Sequence, residues 1–236
     1  MTTVALLNPW PQPGIVTAAG AAGCRIVMLD AEHGVVTPEH VHALVLEGRA
    51  CGVSVWVRAP GHDPAVLAAY LDRGVDGIVA PRVSTAGQAE AIVQAVRYPP
   101  RGRRGIGPTP DNAYFLTGTP AQYLSAVRER VRLFVQIEDP EGARNAAAIA
   151  AVDGVDGVLI GPLDLSTGMG LAGRTGDPEV QRAIAEVAAA VRSQGKQVSL
   201  PVGPSGRSPV PVDIALGYLP ELLFHAVRDF AAAAEG

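Results

Sequence analysis

Charged side chains follow several apolar runs of the sequence, at the point where each run ends. Asp30 and His33 follow the second run, Arg58 follows the third, Glu138 ends another and Asp164 lies just beyond the next. The carboxyl ends of parallel strands meet at one rim, so these residues converge if the runs are such strands. Burying such groups together is costly unless they pair or bind a ligand.

Glu138 and Asp164 come from adjacent predicted strands, and their neighbours within each run are apolar. Two converging carboxylates share a proton, meet a cation or bind a metal. Oxygen ligands with no cysteine nearby favour a hard divalent ion such as Mg²⁺ or Mn²⁺. Only two protein ligands leave positions open for substrate oxygens and water. The alternative is that each carboxylate only caps the helix that follows it.

The elements that must position these residues are short apolar runs alternating with longer helical stretches. Runs of successive apolar, β-branched residues are typical of strands buried on both faces of a parallel sheet. The candidate strands are Val4–Leu7, Arg25–Asp30, Val53–Arg58, Gly77–Pro81, Arg132–Glu138, Gly157–Ile160, Gln197–Pro201 and a weaker Glu221–His225. Eight strands in this length predict an α/β fold, a (β/α)8 TIM barrel, whose typical size is ~250 residues. A doubly wound sheet is the main rival, but no glycine fingerprint follows the first strand.

The helical stretches begin at recognisable signals. Thr37, Asp63 and Asp177 are each followed by proline, the pattern of a helix cap and first position. Further helices are predicted over 84–96, 120–129, 142–152 and, at the C-terminus, 229–234. No linker or low-complexity segment divides the chain, so we expect a single barrel domain over residues 1–236.

Composition excludes several classes of protein. The 236 residues are 48% hydrophobic and 18% charged, which excludes intrinsic disorder. A net charge of −4 repels phosphate backbones, so no nucleic-acid partner is expected. No apolar run is long enough to span a membrane, and the N-terminus lacks the features of a signal peptide. Two separated cysteines exclude a disulfide scaffold, and we expect a cytoplasmic protein.

Taken together, the motifs resemble those of the HpcH/HpaI aldolase family of metal-dependent (class II) pyruvate aldolases. The resemblance runs from about Gly23 to Gln197. The motifs that carry it are Leu29–Gly34, Val57–Pro60, Leu71–Gly74, Arg97–Gly105, Gln136–Glu138, Gly161–Ser166 and Met169-Gly170. It implies a barrel of the phosphoenolpyruvate/pyruvate type that cleaves or forms 4-hydroxy-2-oxo acids through a metal-stabilised pyruvate enolate.

The resemblance also implies roles for individual residues. Glu138 and Asp164 match the ligands of a divalent metal, Mg²⁺ or Mn²⁺, with Co²⁺ also compatible. Arg58 matches the arginine that supports the enolate oxygen. His33, with Asp30 behind it, matches the pair that moves protons through water.

Further matches concern the substrate and the assembly. Gln136 matches a glutamine lining the pyruvate site, and backbone N–H groups of the Gly161–Asp164 turn, which includes Pro162 and Leu163, would hold the substrate carboxylate. Asp72 matches an aspartate that reaches a neighbouring subunit's site. The implied partners are a 2-oxo acid, an aldehyde and other copies of the chain, in a homohexamer built as a trimer of dimers. The apolar C-terminal helix is expected to pack on a partner.

Two observations bear on the mechanism. A class I aldolase needs a strand-end lysine, whereas Lys196, the single lysine, precedes a strand and would lie at the wrong end of the barrel. The chain departs from the family pattern at 108–115 and over its last third, where Pro204, Pro209 and Pro211 oppose a helix. The alternatives are oxaloacetate decarboxylation, condensation with a non-aldehyde acceptor, or a non-catalytic ligand-binding member.

Overall fold

Eight parallel strands close into a barrel in chain order in the computed structural model, which describes residues 2–235 apart from the side chains of Glu129 and Glu235. The strands are β1 Thr3–Asn8, β2 Ile26–Asp30, β3 Ser54–Arg58, β4 Gly77–Ala80, β5 Arg132–Ile137, β6 Gly157–Ile160, β7 Gln197–Val202 and β8 Ile214–Tyr218. Pairing of β8 with β1 closes the sheet, so the predicted (β/α)8 barrel is confirmed.

Helices connect most of the strands and form the outer layer. They are α1 Ile15–Ala21, α2 Pro38–Cys51, α3 Pro64–Leu71, α4 Ala86–Val96, α5 Pro120–Arg130, α6 Pro140–Arg144, α7 Ala146–Ala151, α8 Pro162–Gly168, α9 Pro178–Ser193 and α10 Leu219–Glu235. The predicted helix over 142–152 is broken at Asn145, whose side chain donates to the Ser84 carbonyl. Among the described residues, no helix is both long and apolar enough to cross a bilayer.

The eighth strand was predicted in the wrong place. The strand is Ile214–Tyr218, and Glu221–His225 lies inside α10. A short apolar run does not distinguish a strand from a helix by its periodicity. Here the helix forms because Leu219 and Leu222 lie three residues apart, as neighbours on one helical face, and both pack against the core.

Aromatic rings fill the interior of the barrel. Trp56 and Phe134 pack with ring centroids 5.0 Å apart. Two strands begin with glycine to make room for them: a Cβ on Gly77 would lie 2.4 Å from the Trp56 ring, and one on Gly157 would lie 2.5 Å from the Phe134 ring. This explains why the sequence GVDG, which ends at each of these glycines, occurs twice in the chain.

The two segments that depart from the family pattern lie in different parts of the fold. Residues 203–213 contain no helix and run as a loop from the end of β7 back to the start of β8, as the prolines predict.

Residues 108–115 lie at the amino-terminal end of the barrel, around Asp111. Its carboxylate accepts from Arg49 at 2.9 Å and Tyr123 at 2.9 Å, and pairs with Arg130. Burial would raise the pKa of Asp111, but the hydrogen bonds from Arg130, Arg49 and Tyr123 lower it overall. The segment is therefore anchored far from the carboxyl ends of its own strands.

Candidate active site

The carboxyl ends of β2, β3, β5 and β6 bring together most of the residues expected to do chemistry. His33, Glu138 and Asp164 line one cavity of about 350 Å³, together with Arg82 and Asp139. The cavity opens at the end of the barrel where enzymes of this fold carry their active sites. The larger clefts on the outside of the barrel contain none of the predicted metal or proton-transfer residues.

A buried ion pair fixes the arginine of the site. Arg58 at the end of β3 donates from Nε to Asp30 at 3.0 Å and from Nη2 at 2.6 Å, with both side chains largely buried. Asp30 also accepts from the backbone N–H groups of Glu32 and His33. Burial would lower the pKa of Arg58, but the hydrogen bonds that it donates to Asp30 and the charges of Asp30 and Glu32 raise it overall. The guanidinium is thus a fixed positive charge.

Glu138 is a buried carboxylate just beyond β5. Its Oε1 accepts from the backbone N–H of Arg82 at 2.8 Å, and its Oε2 accepts from the Gln136 side chain. Burial raises the pKa of Glu138, and the nearby charges of Glu32 and Asp164 raise it further, against these two hydrogen bonds. A cation beside Glu138 and Asp164 would relieve this unfavourable negative charge.

The turn after β6 becomes the first turn of α8. The Gly161 N–H already donates to the Ile137 carbonyl at 2.9 Å, and Pro162 has no N–H. The expectation that the whole turn donates to a substrate carboxylate is therefore too broad. The N–H groups of Leu163 and Asp164, in the first turn of the helix, are the ones that have no helical partner.

Glycine at position 161 leaves the space that Glu138 occupies. A Cβ there would lie 2.7 Å from the Glu138 Cβ and 2.9 Å from its Oε2, although the backbone at φ −100° suits any residue. Gly161→Ala is expected to lower kcat by about ten- to a hundredfold, because the displaced carboxylate no longer faces the cavity.

The matched control is Gly176→Ala, where a Cβ would meet no atom within 4 Å. Steady-state kinetics and thermal unfolding of both variants check the prediction. Equal kcat values for the parent and Gly161→Ala would contradict it.

Sequence reasoning did not select Glu32 and Arg82. Glu32, whose side chain is 3% exposed, lies between Arg58 at 3.5 Å and Arg82 at 3.0 Å. Arg82 follows β4 and Pro81, so the strand-end rule that found the other residues could have found it. Glu32 stood inside the motif that contains His33, but its spacing alone gave no reason to choose it.

Asp72 lies at the other end of the molecule from the cavity. It caps the carboxyl end of α3 and accepts from Arg104 at 2.6 Å, and the Arg104 guanidinium stacks on Tyr98 at 4.6 Å. Within one chain, the structure therefore keeps Asp72 apart from the other predicted site residues. The sequence likewise predicted no role for Asp72 in the site of its own chain.

Known proteins resemble this chain along most of its length. The profile of the HpcH/HpaI aldolase/citrate lyase family matches residues 5–200. The hydroxypyruvate/pyruvate aldolase of Pseudomonas aeruginosa is 40% identical over 192 residues, which are 80% of this chain and 70% of that protein. The 4-hydroxy-2-oxovalerate aldolase of Rhodococcus jostii is 37% identical over 179 residues, 74% of this chain and 67% of that one.

A solved structure gives the same result for the fold. The crystal structure of an HpcH/HpaI aldolase/citrate lyase family protein from Burkholderia cenocepacia superposes with a TM-score of 0.91 at 26% identity, covering 100% of this chain and 95% of that one. The chain belongs to the HpcH/HpaI aldolase/citrate lyase family and is a lyase of the aldolase type.

Proposed function

We propose that this lyase cleaves and forms 4-hydroxy-2-oxo acids, with pyruvate or a close relative as the enolate component. One observation carries the proposal: a clamped arginine, a pair of carboxylates and an exposed histidine meet at one rim. Arg58 is held by Asp30, while Glu138 and Asp164 line a cavity with His33. These are the groups needed to stabilise an enolate and to move a proton.

A divalent metal fits the carboxylate pair. Glu138 and Asp164 would hold it, and the described residues contain no cluster of three or more His, Cys, Asp or Glu side chains that could enclose an ion. Substrate and water oxygens would then complete the coordination. Oxygen ligands favour Mg²⁺ or Mn²⁺, and Co²⁺ is also compatible. When bound, such an ion supplies Lewis-acid stabilisation of negative charge on a keto oxygen.

Cleavage breaks the C3–C4 bond of the 4-hydroxy-2-oxo acid. The 4-hydroxyl loses its proton and becomes the aldehyde carbonyl, and we assign that proton to His33 through water. The bond pair forms the C2–C3 double bond of the enolate, which leaves negative charge on the C2 oxygen. Arg58 holds a fixed positive charge for that oxygen, and the enolate takes a proton at C3 to give pyruvate.

An imine route does not suit this chain. Lys196, its single lysine, donates to the Val155 carbonyl at 2.7 Å, at the amino-terminal end of β7. A Schiff base needs a lysine at the carboxyl ends of the strands, where the cavity lies. The position of Lys196 therefore favours the metal-assisted route.

Substrate profiling tests the proposal. Pyruvate released from a panel of 4-hydroxy-2-oxo acids is measured with a coupled lactate dehydrogenase, with and without added Mn²⁺. Oxaloacetate, with CO₂ measured, tests the decarboxylation alternative in the same samples. Release from the 4-hydroxy acids supports aldol cleavage. Turnover of oxaloacetate alone would mean that the enzyme is a decarboxylase and not an aldolase. Turnover of neither the 4-hydroxy acids nor oxaloacetate would favour a ligand-binding role.

We also propose that the single barrel domain assembles into a cytoplasmic homo-oligomer, a hexamer built as a trimer of dimers. The support is an apolar row on α10, where Leu223, Phe224, Val227 and Phe230 are 48%, 63%, 56% and 75% exposed. Such a patch is typical of an interaction surface. Asp72, at the opposite end of the barrel from the cavity, would approach a neighbour's site.

Loss of this row is expected to break the assembly. The double variant Phe224→Ser/Phe230→Ser should give a smaller species in light scattering at micromolar concentration, because it removes the two largest exposed rings of α10. Leu46→Ser, at a 50% exposed leucine on α2, is the control. A parent protein that is an active monomer at this concentration would refute the proposed assembly.

A further inference from the structure

A chain of alternating charges runs from the inside of the site to its mouth. Asp30 binds Arg58, Arg58 approaches Glu32 at 3.5 Å, and Glu32 binds Arg82 at 3.0 Å. Arg82 is the outer end of this chain, and its side chain is 67% exposed, against 12% for Arg58. The two arginines therefore face different parts of a substrate: Arg58 faces its buried end and Arg82 its outer end.

The backbone holds Arg82 at this position. Its φ of 58° is in the left-handed region, which is uncommon for a residue other than glycine. In that conformation its N–H donates to Glu138 at 2.8 Å. Strained conformations of this kind persist where the surroundings fix them and concentrate at functional sites. The position of the side chain at the cavity mouth is thus a consequence of the site's own hydrogen bonding.

The charge of the cavity wall gives Arg82 a distinct place. Among the described residues that line the cavity, three are carboxylates and Arg82 is the one with a permanent positive charge. Its guanidinium uses Nη2 for Glu32, and its planar fork has five N–H donors in all. Donors remain for a second carboxylate without loss of the ion pair.

Arg82 lies on the side of the site where the aldehyde acceptor would bind. Glu32 Oε2 is 3.9 Å from the Nε2 atom of His33, the residue assigned to the 4-hydroxyl proton, while Glu32 Oε1 binds Arg82. The part of the substrate beyond C4 therefore lies beside His33 and Arg82. Together with C4, this part becomes the aldehyde on cleavage.

We propose that Arg82 forms the binding site for a carboxylate on the aldehyde acceptor, so that the enzyme prefers acidic aldehydes to uncharged ones. This inference rests on the proposed aldolase function and adds the charge of the second substrate. Arg82 meets the far end of the acceptor and takes no part in breaking the C3–C4 bond.

The test compares two four-carbon aldehydes, 4-oxobutanoate and butanal, as acceptors for pyruvate. The parent is expected to favour 4-oxobutanoate in kcat/KM. Arg82→Met, which keeps the Cβ and the backbone N–H on Glu138, should lower kcat/KM for 4-oxobutanoate by about ten- to a hundredfold, mainly through KM. Its kcat/KM for butanal should fall much less. Arg82→Lys should recover part of the preference.

Arg25→Met is the matched control, because Arg25 is an exposed arginine directly before β2, at the opposite end of the barrel. It should keep the parent's ratio between the two aldehydes. The inference is overturned if the parent shows no preference, or if Arg82→Met lowers both activities equally, which would mean that Arg82 only supports Glu32. Pyruvate proton exchange by the parent separates these results from failure of the proposed function itself.

Discussion

Glu138→Gln is expected to lower pyruvate-forming turnover by at least about a hundredfold, because even the outer hydrogen-bond partners of a catalytic metal contribute about ten- to a hundredfold. Glutamine keeps the size of the side chain but lacks the negative charge that a divalent ion needs. An excess of chelator should abolish the parent's activity in the same way. Steady-state kinetics at several Mn²⁺ concentrations measure both effects.

The stability of this variant should not fall. Burial raises the pKa of Glu138, so its ionised form costs folding free energy at any pH above that pKa. A neutral glutamine at position 138 removes this cost. The Gln136 Oε1 atom has no hydrogen-bond partner among the described residues, and after a flip of the Gln136 amide it can accept a hydrogen bond from the new side-chain amide. Thermal unfolding should therefore show a midpoint equal to or above that of the parent.

The control is Glu141→Gln, at an exposed carboxylate in the first turn of α6. It should keep parental turnover and a parental midpoint. Near-normal turnover of Glu138→Gln, or full parental activity in excess chelator, would rule out the assigned metal role.

The second large effect separates two half-reactions. Arg58→Ala is expected to lower both pyruvate proton exchange and C–C cleavage by on the order of a hundredfold or more, because both pass through the same enolate charge. The variant leaves Asp30 buried without its partner, which costs about 3–5 kcal/mol in comparable pairs. Arg58→Lys keeps a charge beside Asp30 and tests the same role if the alanine variant does not fold.

His33→Ala should give a different pattern. The side chain of His33 is 58% exposed, so its loss should not affect folding appreciably. Removing a general base lowers cleavage by about 10²–10⁴-fold, whereas exchange at pyruvate C3 does not require the 4-hydroxyl proton to move. If the Arg58 and His33 variants lost proton exchange and cleavage to the same relative extent, the assignment of the enolate charge to Arg58 and of the 4-hydroxyl proton to His33 would be wrong.

The strands of the barrel could be predicted because buried parallel strands have a strong local signal. Seven of the eight candidates overlap observed strands, from Val4–Leu7 to Gln197–Pro201. The eighth failed because Ile214–Tyr218 contains glycine and alternates in burial, while the predicted run Glu221–His225 belongs to a helix. The packing of Leu219 and Leu222 against the core decides for the helix there, and this contact is not visible in the sequence.

The rim residues could be predicted from where strands end, but their partners could not. The spacing of the residues does not show that Glu32 is buried between Arg58 and Arg82, because β2, β3 and β4 become neighbours only in the fold. The contact between Gly161 and Glu138 is likewise a property of adjacent strands, since 23 positions separate them in the sequence. Such distances become visible only in three dimensions.

Proton exchange at the methyl group of pyruvate tests metal-dependent enolate formation separately from the aldol step, because it requires the enolate and no second substrate. The parent is incubated with pyruvate in D₂O, with Mg²⁺, Mn²⁺ or Co²⁺ or with chelator, and the methyl signal is followed by NMR after the metal is removed. The methyl signal is expected to disappear with metal, but not with chelator or with Glu138→Gln. An unchanged signal with all three metals, or equal loss in chelator, would contradict metal-dependent enolate formation.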